Sequence, residues 1–347
     1  MDLLRDLLRE YYTSAKLYLP KDFMLREFAF QTYEKGVYVR HLSFQNEALL
    51  RNYLVSKTPR QAYYSSAIYR DPAAERMEEK GWLGSELMFD IDADHIPGCD
   101  VEKVEVGGKS IEFISNECIE LAKEHELRLI DILKHDFGFT NDEIMIYFSG
   151  NRGFHTVVRP KDDDWLKLSS YQRRELVDYI KGVGIDPERL SPLPKPIRRG
   201  RVKARIVLDS IDGGWAGRLV REGLLNDDFT HEDVIEGVRK LSVEIDEQVT
   251  QDVSRLIRIP GSINGKSGLP AILLGSESEL LSFKYSTEIA PWKGHVLVKP
   301  RKGVEPLGKV SFLGREFTLN RSGLSKVPTY LGIFLALNGL YEIVKIL

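Results

Sequence analysis

Residues 86–94 read ELMFDIDAD, and this stretch decides the fold. Its apolar and acidic residues alternate, which predicts a strand with Phe89 and Ile91 on one face and Asp90 and Asp92 on the other. Two ionised carboxylates placed side by side repel each other unless a cation lies between them. Their hard oxygen atoms suit Mg²⁺ or Mn²⁺. The stretch therefore predicts a strand that carries metal ligands, with a solvated polar face as the alternative.

A glycine-containing turn follows the next apolar strand. Residues 147–155 read YFSGNRGFH. Glycines let backbone amides approach an anion, and Ser149, Arg152 and His155 add side-chain donors. We interpret it as a candidate phosphate-binding turn, and a plain hairpin turn is the alternative.

A third element, residues 245–269, reads IDEQVTQDVSRLIRIPGSINGKSGL. Asp246 precedes a strand, Arg258 lies within that strand, and Lys266 follows in another glycine-containing turn. Basic side chains here could neutralise a triphosphate. A solvated strand and hairpin is the alternative.

The surrounding pattern predicts an α/β (α+β) protein with mixed β-sheets flanked by helices. We expect helices over 2–19 and 117–136, a hairpin around residues 34–36, and a short β-excursion over 97–112. The segment from Lys326 onward is predicted to be a helix. Residues 1–160 and 241–347 would form a discontinuous core, and residues 161–240 an inserted, mainly helical subdomain.

Composition excludes two classes of protein. The 347 residues include 49 basic and 52 acidic side chains, a net charge of −3, with 10% aromatic residues. This composition does not fit a disordered chain, and we find no apolar run of 18 residues that predicts a membrane span. Two cysteines make no disulfide framework, so we expect a cytoplasmic location.

The three motifs, in this order, resemble those of the catalytic small subunit of archaeal and eukaryotic DNA primases. REFAF at 26–30 and VYVR at 37–40 also resemble the N-terminal hairpin of that family. The resemblance implies a two-metal nucleotidyl transfer that builds short RNA or DNA primers on single-stranded DNA and releases pyrophosphate. It implies catalytic, Mg²⁺- or Mn²⁺-binding roles for Asp90, Asp92 and Asp246. The nucleotide would be bound by Ser149, Arg152, His155, Arg258, Asn264, Lys266 and Arg40, the last on a hairpin shared with Glu27.

Two features depart from the family pattern. Asn264 stands where the family has histidine, so this side chain can donate a hydrogen bond but carries no charge. The family's zinc knuckle is reduced to Cys99 and Cys118, with His95 nearby, whereas a structural zinc site needs four ligands. The alternatives for these cysteines are a degenerate zinc site, two semi-buried thiols or a disulfide.

The resemblance also implies partners. They are a large subunit carrying an iron–sulfur cluster, a single-stranded DNA template, and NTPs or dNTPs. The basic segment 195–205 could track nucleic-acid phosphates or be a solvated loop. Two other readings stay open: a stand-alone primase–polymerase of repair or plasmid replication, and a non-catalytic nucleic-acid-binding subunit.

Overall fold

The computed structural model describes residues 2–106, 109–186, 213–225, 229–320 and 323–347. Within these ranges we number the helices and strands in chain order. The helices are α1 Leu3–Ser14, α2 Glu47–Lys57, α3 Asn116–His135, α4 Asp163–Leu166, α5 Ser170–Ile180, α6 Gly214–Arg221, α7 His231–Leu241, α8 Glu247–Gln251, α9 Glu277–Ser282 and α10 Thr329–Leu337.

The strands are mostly short. They are β1 Phe28–Gln31, β2 Tyr38–Leu42, β3 Gln61–Ser65, β4 Ala67–Tyr69, β5 Trp82–Ser85, β6 Leu87–Asp92, β7 Glu102–Val106, β8 Lys109–Phe113, β9 Ile144–Phe148, β10 Gly153–Val158, β11 Leu256–Arg258, β12 Ile272–Leu274, β13 His295–Pro300, β14 Lys309–Phe312, β15 Arg315–Thr318, β16 Ser325–Pro328 and β17 Tyr341–Ile346. The predicted acidic strand, the N-terminal hairpin and the 97–112 excursion are therefore confirmed.

Two four-stranded sheets position the site. Sheet I has the order β11-β3-β1-β2 and sheet II the order β12-β9-β10-β6. All their strand pairings are antiparallel. From the sequence we instead expect sheets of mixed strand direction. The α/β class itself is confirmed. Each sheet joins distant parts of the chain, since β11 pairs with β3 and β12 with β9.

Helix α3 covers the face of sheet II away from the acidic residues. Its N-terminus is capped by Ser115, whose hydroxyl accepts a bond from the Cys118 amide at 3.2 Å. Apolar residues at helical spacing, among them Ile119, Ile130 and Leu133, are buried in the core that includes Phe89 and Ile91. The alternation of β6 thus places its apolar face under α3 and leaves its acidic face toward sheet I.

The two cysteines form a disulfide. Cys99 and Cys118 are bonded to each other and flank the β7–β8 hairpin. Because each sulfur is bonded to the other, neither is a thiolate that could bind zinc. The predicted Zn²⁺ role for this pair is therefore wrong, and the disulfide alternative holds.

The C-terminal segment differs from the single helix that we expected. It consists of β16, the fully buried helix α10 and β17, and both strands pair with β13. The helix ends at Asn338, and Gly339 adopts the left-handed conformation (φ +74°) that turns the chain back. The β-branched residues after it, such as Ile343 and Val344, favour the strand.

Helices α6 and α7 have a small core of their own, made by Trp215, Leu219, Leu225, Val234, Val238 and Leu241. An ion pair joins this group to α3, since Arg218 Nη2 lies 2.7 Å from the buried Asp136 Oδ2. The inserted-subdomain boundaries stay a prediction, and the basic segment 195–205 lies outside the described residues.

None of the helices in the described ranges combines the length and the apolar composition needed to span a bilayer.

Candidate active site

The candidate site is a polar cavity of about 170 Å³ between sheets I and II. Sheet II contributes its acidic strand and the histidine of β10, and sheet I contributes β3 and β11. The turns after β9 and β11 complete its lining. Its lining residues are Gln61, Tyr63, Met88, Asp90, Asp92, Ser149, Asn151, Arg152, His155, Arg255, Leu256, Arg258, Asn264 and Lys266.

Strands β6 and β10 set the spacing of the acidic wall. Their antiparallel register pairs Asp90 with His155 and Asp92 with Gly153. A Cβ atom on Gly153 would lie 1.8 Å from the Ile91 carbonyl oxygen, so only glycine allows β10 to approach β6 this closely. The side chains of Asp90, Asp92 and His155 consequently share one face, as the sequence predicts for the two aspartates.

The carboxylates of this wall differ in pKa. Burial opposes ionisation of Asp90, but the charge and hydrogen bond of His155 together with the charges of Arg255 and Arg258 outweigh it and lower the pKa of this carboxyl. The His155 Nε2 lies 3.1 Å from Asp90 Oδ1. Burial and then the charge of Asp90 raise the pKa of Asp92. Two adjacent, half-buried carboxylates whose pKa values shift in opposite directions repel each other, and a bound cation would relieve that repulsion.

Arg152 lies at the open end of the acidic wall. Its guanidinium contacts three carboxylates: Nη2 is 3.3 Å from Asp92 Oδ2, and Nη1 is 2.8 Å from Asp94 Oδ2 and 2.6 Å from Glu112 Oε2. Asp94 comes from the 3₁₀ turn after β6, and Glu112 comes from β8. The arginine that the sequence assigned to phosphate binding thus contacts the predicted metal ligand Asp92.

The facing wall is basic and incompletely paired. Arg258 Nη2 donates to Gln61 Oε1 at 2.6 Å, and the guanidinium carbon is 5.1 Å from the centre of the Tyr63 ring. The Nε and Nη1 atoms of this arginine are buried without a hydrogen-bond partner. A buried guanidinium with free donors is costly, and an anion in the cavity would satisfy it.

Asn264 connects the turn that follows β9 to the turn that follows β11. Its Nδ2 donates to the Ser149 carbonyl at 3.3 Å, and its Oδ1 accepts from the Lys266 amide at 2.9 Å. Both bonds are neutral and hold backbone in place. At this position the side chain therefore supports the Ser149 and Lys266 turns, in addition to lining the cavity.

Asp90 and Asp92 are suited to a divalent cation. They are neighbouring oxygen donors on one face of β6, and the buried Asp90 Oδ1 has His155 Nε2 beside it at 3.1 Å. Asp92, Asp94 and His95 also offer ligand atoms within 4.8 Å of one another. The donor set therefore fits a hard divalent metal ion.

Asp246 is placed differently from the other two predicted metal ligands. Its amide donates to the Asp90 carbonyl at 2.9 Å, so its backbone is next to the acidic strand. Its carboxylate, however, caps helix α8 by accepting from Gln248 N at 2.9 Å and Val249 N at 3.4 Å. It does not line the cavity, so its role as a metal ligand stays a prediction.

The other predicted residues divide into two groups. The cavity brings together Ser149, Arg152, His155, Arg258, Asn264 and Lys266. Arg40 does not line it, and its Nε donates to the buried Glu27 Oε1 at 2.9 Å.

Sequence reasoning did not assign roles to Gln61, Tyr63 or Glu112. The period-2 pattern of β3 would have placed Gln61 and Tyr63 on one face. That this face meets the acidic wall depends on the packing of the two sheets, which no local pattern gives. Glu112 has no sequence signal of its own, because its partner Arg152 is 40 residues away.

Comparison with known proteins gives one consistent family. The sequence model of the DNA primase small subunit family matches residues 89–272, which include the acidic wall and Arg258 of the facing wall. The chain is 37% identical to the DNA primase small subunit PriS of Hyperthermus butylicus over 97% of this chain and 95% of that protein. It is 36% identical to PriS of Sulfurisphaera tokodaii, over 98% and 96%, and 37% identical to PriS of Sulfolobus acidocaldarius, over 99% and 95%. The chain therefore belongs to the DNA primase small subunit family.

Proposed function

We propose that this chain is the catalytic subunit of a DNA primase, and that it joins nucleotides on a single-stranded DNA template. Membership of the family and an acidic wall facing a basic wall support this function. The observation that carries it is the pair of buried donors that Arg258 leaves without acceptors, Nε and Nη1. They line the same cavity as the Asp90 and Asp92 carboxylates. A nucleoside triphosphate with a divalent cation presents both complementary charges.

The acidic wall would hold the metal. Asp90 and Asp92 are its ligands in this proposal, with Asp246 added when its carboxylate leaves the helix cap. When bound, Mg²⁺ or Mn²⁺ lowers the pKa of a 3′-hydroxyl and neutralises charge on the α-phosphate and the departing pyrophosphate.

The protein's own groups would bind and orient the triphosphate. Arg258 would donate hydrogen bonds to phosphate oxygens from its unpaired Nε–H and Nη1–H groups. Arg152, His155 and Lys266 would add positive charge or further donors. These groups fix the α-phosphate in line with the attacking oxygen, which lowers the entropic part of the barrier. The 3′-oxygen would form its bond to the α-phosphorus while its proton passes to solvent water. The bond from the α-phosphorus to the oxygen that bridges to the β-phosphate would break, with its electrons leaving on pyrophosphate.

Several finer features belong to the same proposal. The product would be a short RNA, or a DNA, primer for replication, and the partner a large subunit with an iron–sulfur cluster. Two cysteines joined in a disulfide leave this chain without the four thiolates that such a cluster needs. The cytoplasmic location stays a prediction.

The test is nucleotide incorporation on single-stranded DNA without a primer, with Mg²⁺ or Mn²⁺. It compares the wild type, Asp92→Ala and a control, Asp163→Ala, which alters an exposed aspartate outside the cavity. We expect products from the wild type and the control, and none from Asp92→Ala.

Extension of an annealed primer without de novo synthesis would assign initiation to the complex with the large subunit. Equal synthesis by Asp92→Ala would overturn the proposed site. The absence of both synthesis and nucleotide binding from the wild type would favour a non-catalytic subunit.

A further inference from the structure

Glu112 is a charged contact of the candidate site that lies outside the cavity lining. It belongs to β8 of the β7–β8 hairpin and contacts Arg152 Nη1 at 2.6 Å. Lys103 of the same hairpin lies 3.2 Å from the other carboxylate oxygen of Glu112. Because the Cys99–Cys118 disulfide flanks the hairpin, it tethers the segment that delivers this carboxylate to the site.

Arg152 is in a position to compete with a metal ion. Its Nη2 lies 3.3 Å from Asp92 Oδ2, so a cation that binds Asp92 would face a guanidinium already beside that carboxylate. A divalent cation and a guanidinium repel each other at this range. Metal binding at Asp92 therefore favours an arrangement in which Arg152 turns away from it.

Glu112 and Asp94 provide the alternative acceptors for Arg152. Both contact Nη1, the nitrogen that does not contact Asp92. With these two contacts kept, the guanidinium can give up its longer contact to Asp92 and remain paired. Without Glu112, the balance of charge draws Arg152 further toward Asp92.

We propose that Glu112 is a positioning residue for Arg152: it holds the guanidinium through Nη1 while Asp92 passes to the metal, keeps it available for a phosphate, and thereby lowers the metal concentration that the site requires. This inference rests on the proposed function, because it takes Asp92 as a metal ligand and Arg152 as a phosphate-binding residue. It assigns a role to the hairpin that lies where the family's zinc knuckle would be.

The test measures Mn²⁺ binding to the full chain without nucleotide, from the electron paramagnetic resonance signal of free Mn²⁺. Glu112→Gln keeps the shape of the side chain and removes its charge. We expect it to weaken Mn²⁺ binding about tenfold, the lower end of what partners of a metal ligand contribute. Glu105→Gln, an exposed glutamate on the same hairpin, is the matched control and should bind as the wild type does.

A double-mutant cycle separates positioning from simple loss of negative charge. In an Arg152→Gln background, Glu112 has no guanidinium to hold, so Glu112→Gln should no longer change Mn²⁺ binding. If Glu112→Gln weakens Mn²⁺ binding equally in both backgrounds, its effect is only the loss of a negative charge near the metal, and the inference is overturned. The same holds if Glu112→Gln binds as tightly as Glu105→Gln.

Kinetics supply a second readout. At limiting Mn²⁺, Glu112→Gln should raise the KM for the nucleotide and lower kcat, and saturating Mn²⁺ should restore most of kcat. Asp92→Asn distinguishes the two proposals. If it binds Mn²⁺ as the wild type does, the proposed metal site fails. If Asp92→Asn loses binding while Glu112→Gln keeps it, only the role of Glu112 fails.

Discussion

Two clusters of carboxylates and arginines lie at opposite ends of strand β6, and they differ in how fully their polar atoms are paired. At one end, Arg26 is completely buried and donates to Asp22, to Glu86 and to the carbonyls of Ser65 and Ser66. Arg159 adds a contact to Asp22 at 2.9 Å, so two cations meet two anions. At the other end, Arg258 keeps two buried donors, Nε and Nη1, without hydrogen-bond partners, and Asp90 has a histidine, His155, beside it at 3.1 Å.

The difference separates a structural cluster from a ligand site. A set of charges that satisfies itself has no need of a further group, and opening it exposes buried charge. A set that leaves donors of a buried guanidinium unpaired, opposite a wall of neighbouring carboxylates, is complementary to an anionic ligand that carries a cation. The residue types are the same at both ends of β6, so composition alone does not distinguish them.

The largest effect should come from the unsatisfied cluster and should fall on activity. Asp90→Ala removes a proposed metal ligand and one of two repelling carboxylates. We expect nucleotide incorporation to fall by more than about 100-fold, beyond the loss from an outer partner of a metal ligand. The melting temperature should change little. Nucleotide incorporation assays measure the loss of activity, and thermal unfolding measures the melting temperature. If Asp90→Ala extends primers at the wild-type rate, Asp90 is not part of the active site.

The self-satisfied cluster should show the reverse behaviour. Arg26→Met leaves Glu86 and Asp22 buried with one cation fewer, which should cost about 3–5 kcal/mol of stability. Urea unfolding measures this loss. Below its melting temperature, the folded variant should keep its KM for nucleotide. If Arg26→Met has wild-type stability, Glu86 and Asp22 do not depend on Arg26 for charge neutralisation, and the cluster is not a structural one.

Glu126 tests a buried carboxylate beneath the site. Burial raises its pKa to about 7, and the Thr156 hydroxyl donates to its Oε1. The native state favours the protonated form of the Glu126 carboxyl. The contribution of this group to stability is therefore full below its ordinary pKa of 4.5 and is lost as pH rises through about 7. Glu126→Gln should therefore gain stability over the wild type at pH 8, by at most about 3 kcal/mol.

Thermal unfolding between pH 5 and pH 8 gives this comparison. Glu124→Gln, on an exposed part of the same helix, is the control and should follow the wild-type profile. Parallel profiles for Glu126→Gln and the wild type would mean that the buried carboxyl titrates at its ordinary pKa.

The smallest effect concerns the departure from the family pattern. Asn264→His would add a group that can carry charge near the phosphates, but it removes the amide bonds to Ser149 and Lys266. The gained contact with the phosphates and the lost amide bonds have opposite effects of about 1 kcal/mol each on nucleotide binding, so the KM for nucleotide should change by less than about fivefold. Nucleotide titrations measure it. A change of tenfold or more would show that residue 264 acts mainly on the ligand, and less on the turns.

The sequence predicted the parts of the site that depend on local pattern. The alternation of ELMFDIDAD places Asp90 and Asp92 on one face, and the turn with Gly153 follows from its own residues. Gln61 and Tyr63 were not assigned because their wall forms only when sheet I packs on sheet II. Glu112 was missed for a similar reason, and the helix from Lys326 was overextended because Gly339 was not recognised as its end.

The way sheet I is assembled also bears on how the chain acquires its fold. Strand β3 lies between β1 and β11, and Arg258 bonds to Gln61, 197 residues earlier in the chain, so these distant segments must meet before the basic wall exists. Loops of this length are closed late, and topologies dominated by such contacts fold slowly. During synthesis at the ribosome, the early strands of sheet I would wait with an unpaired edge until β11 emerges. The same topology that brings Arg258 across from Asp90 therefore makes the newly made chain a candidate substrate for chaperones that cover exposed strands.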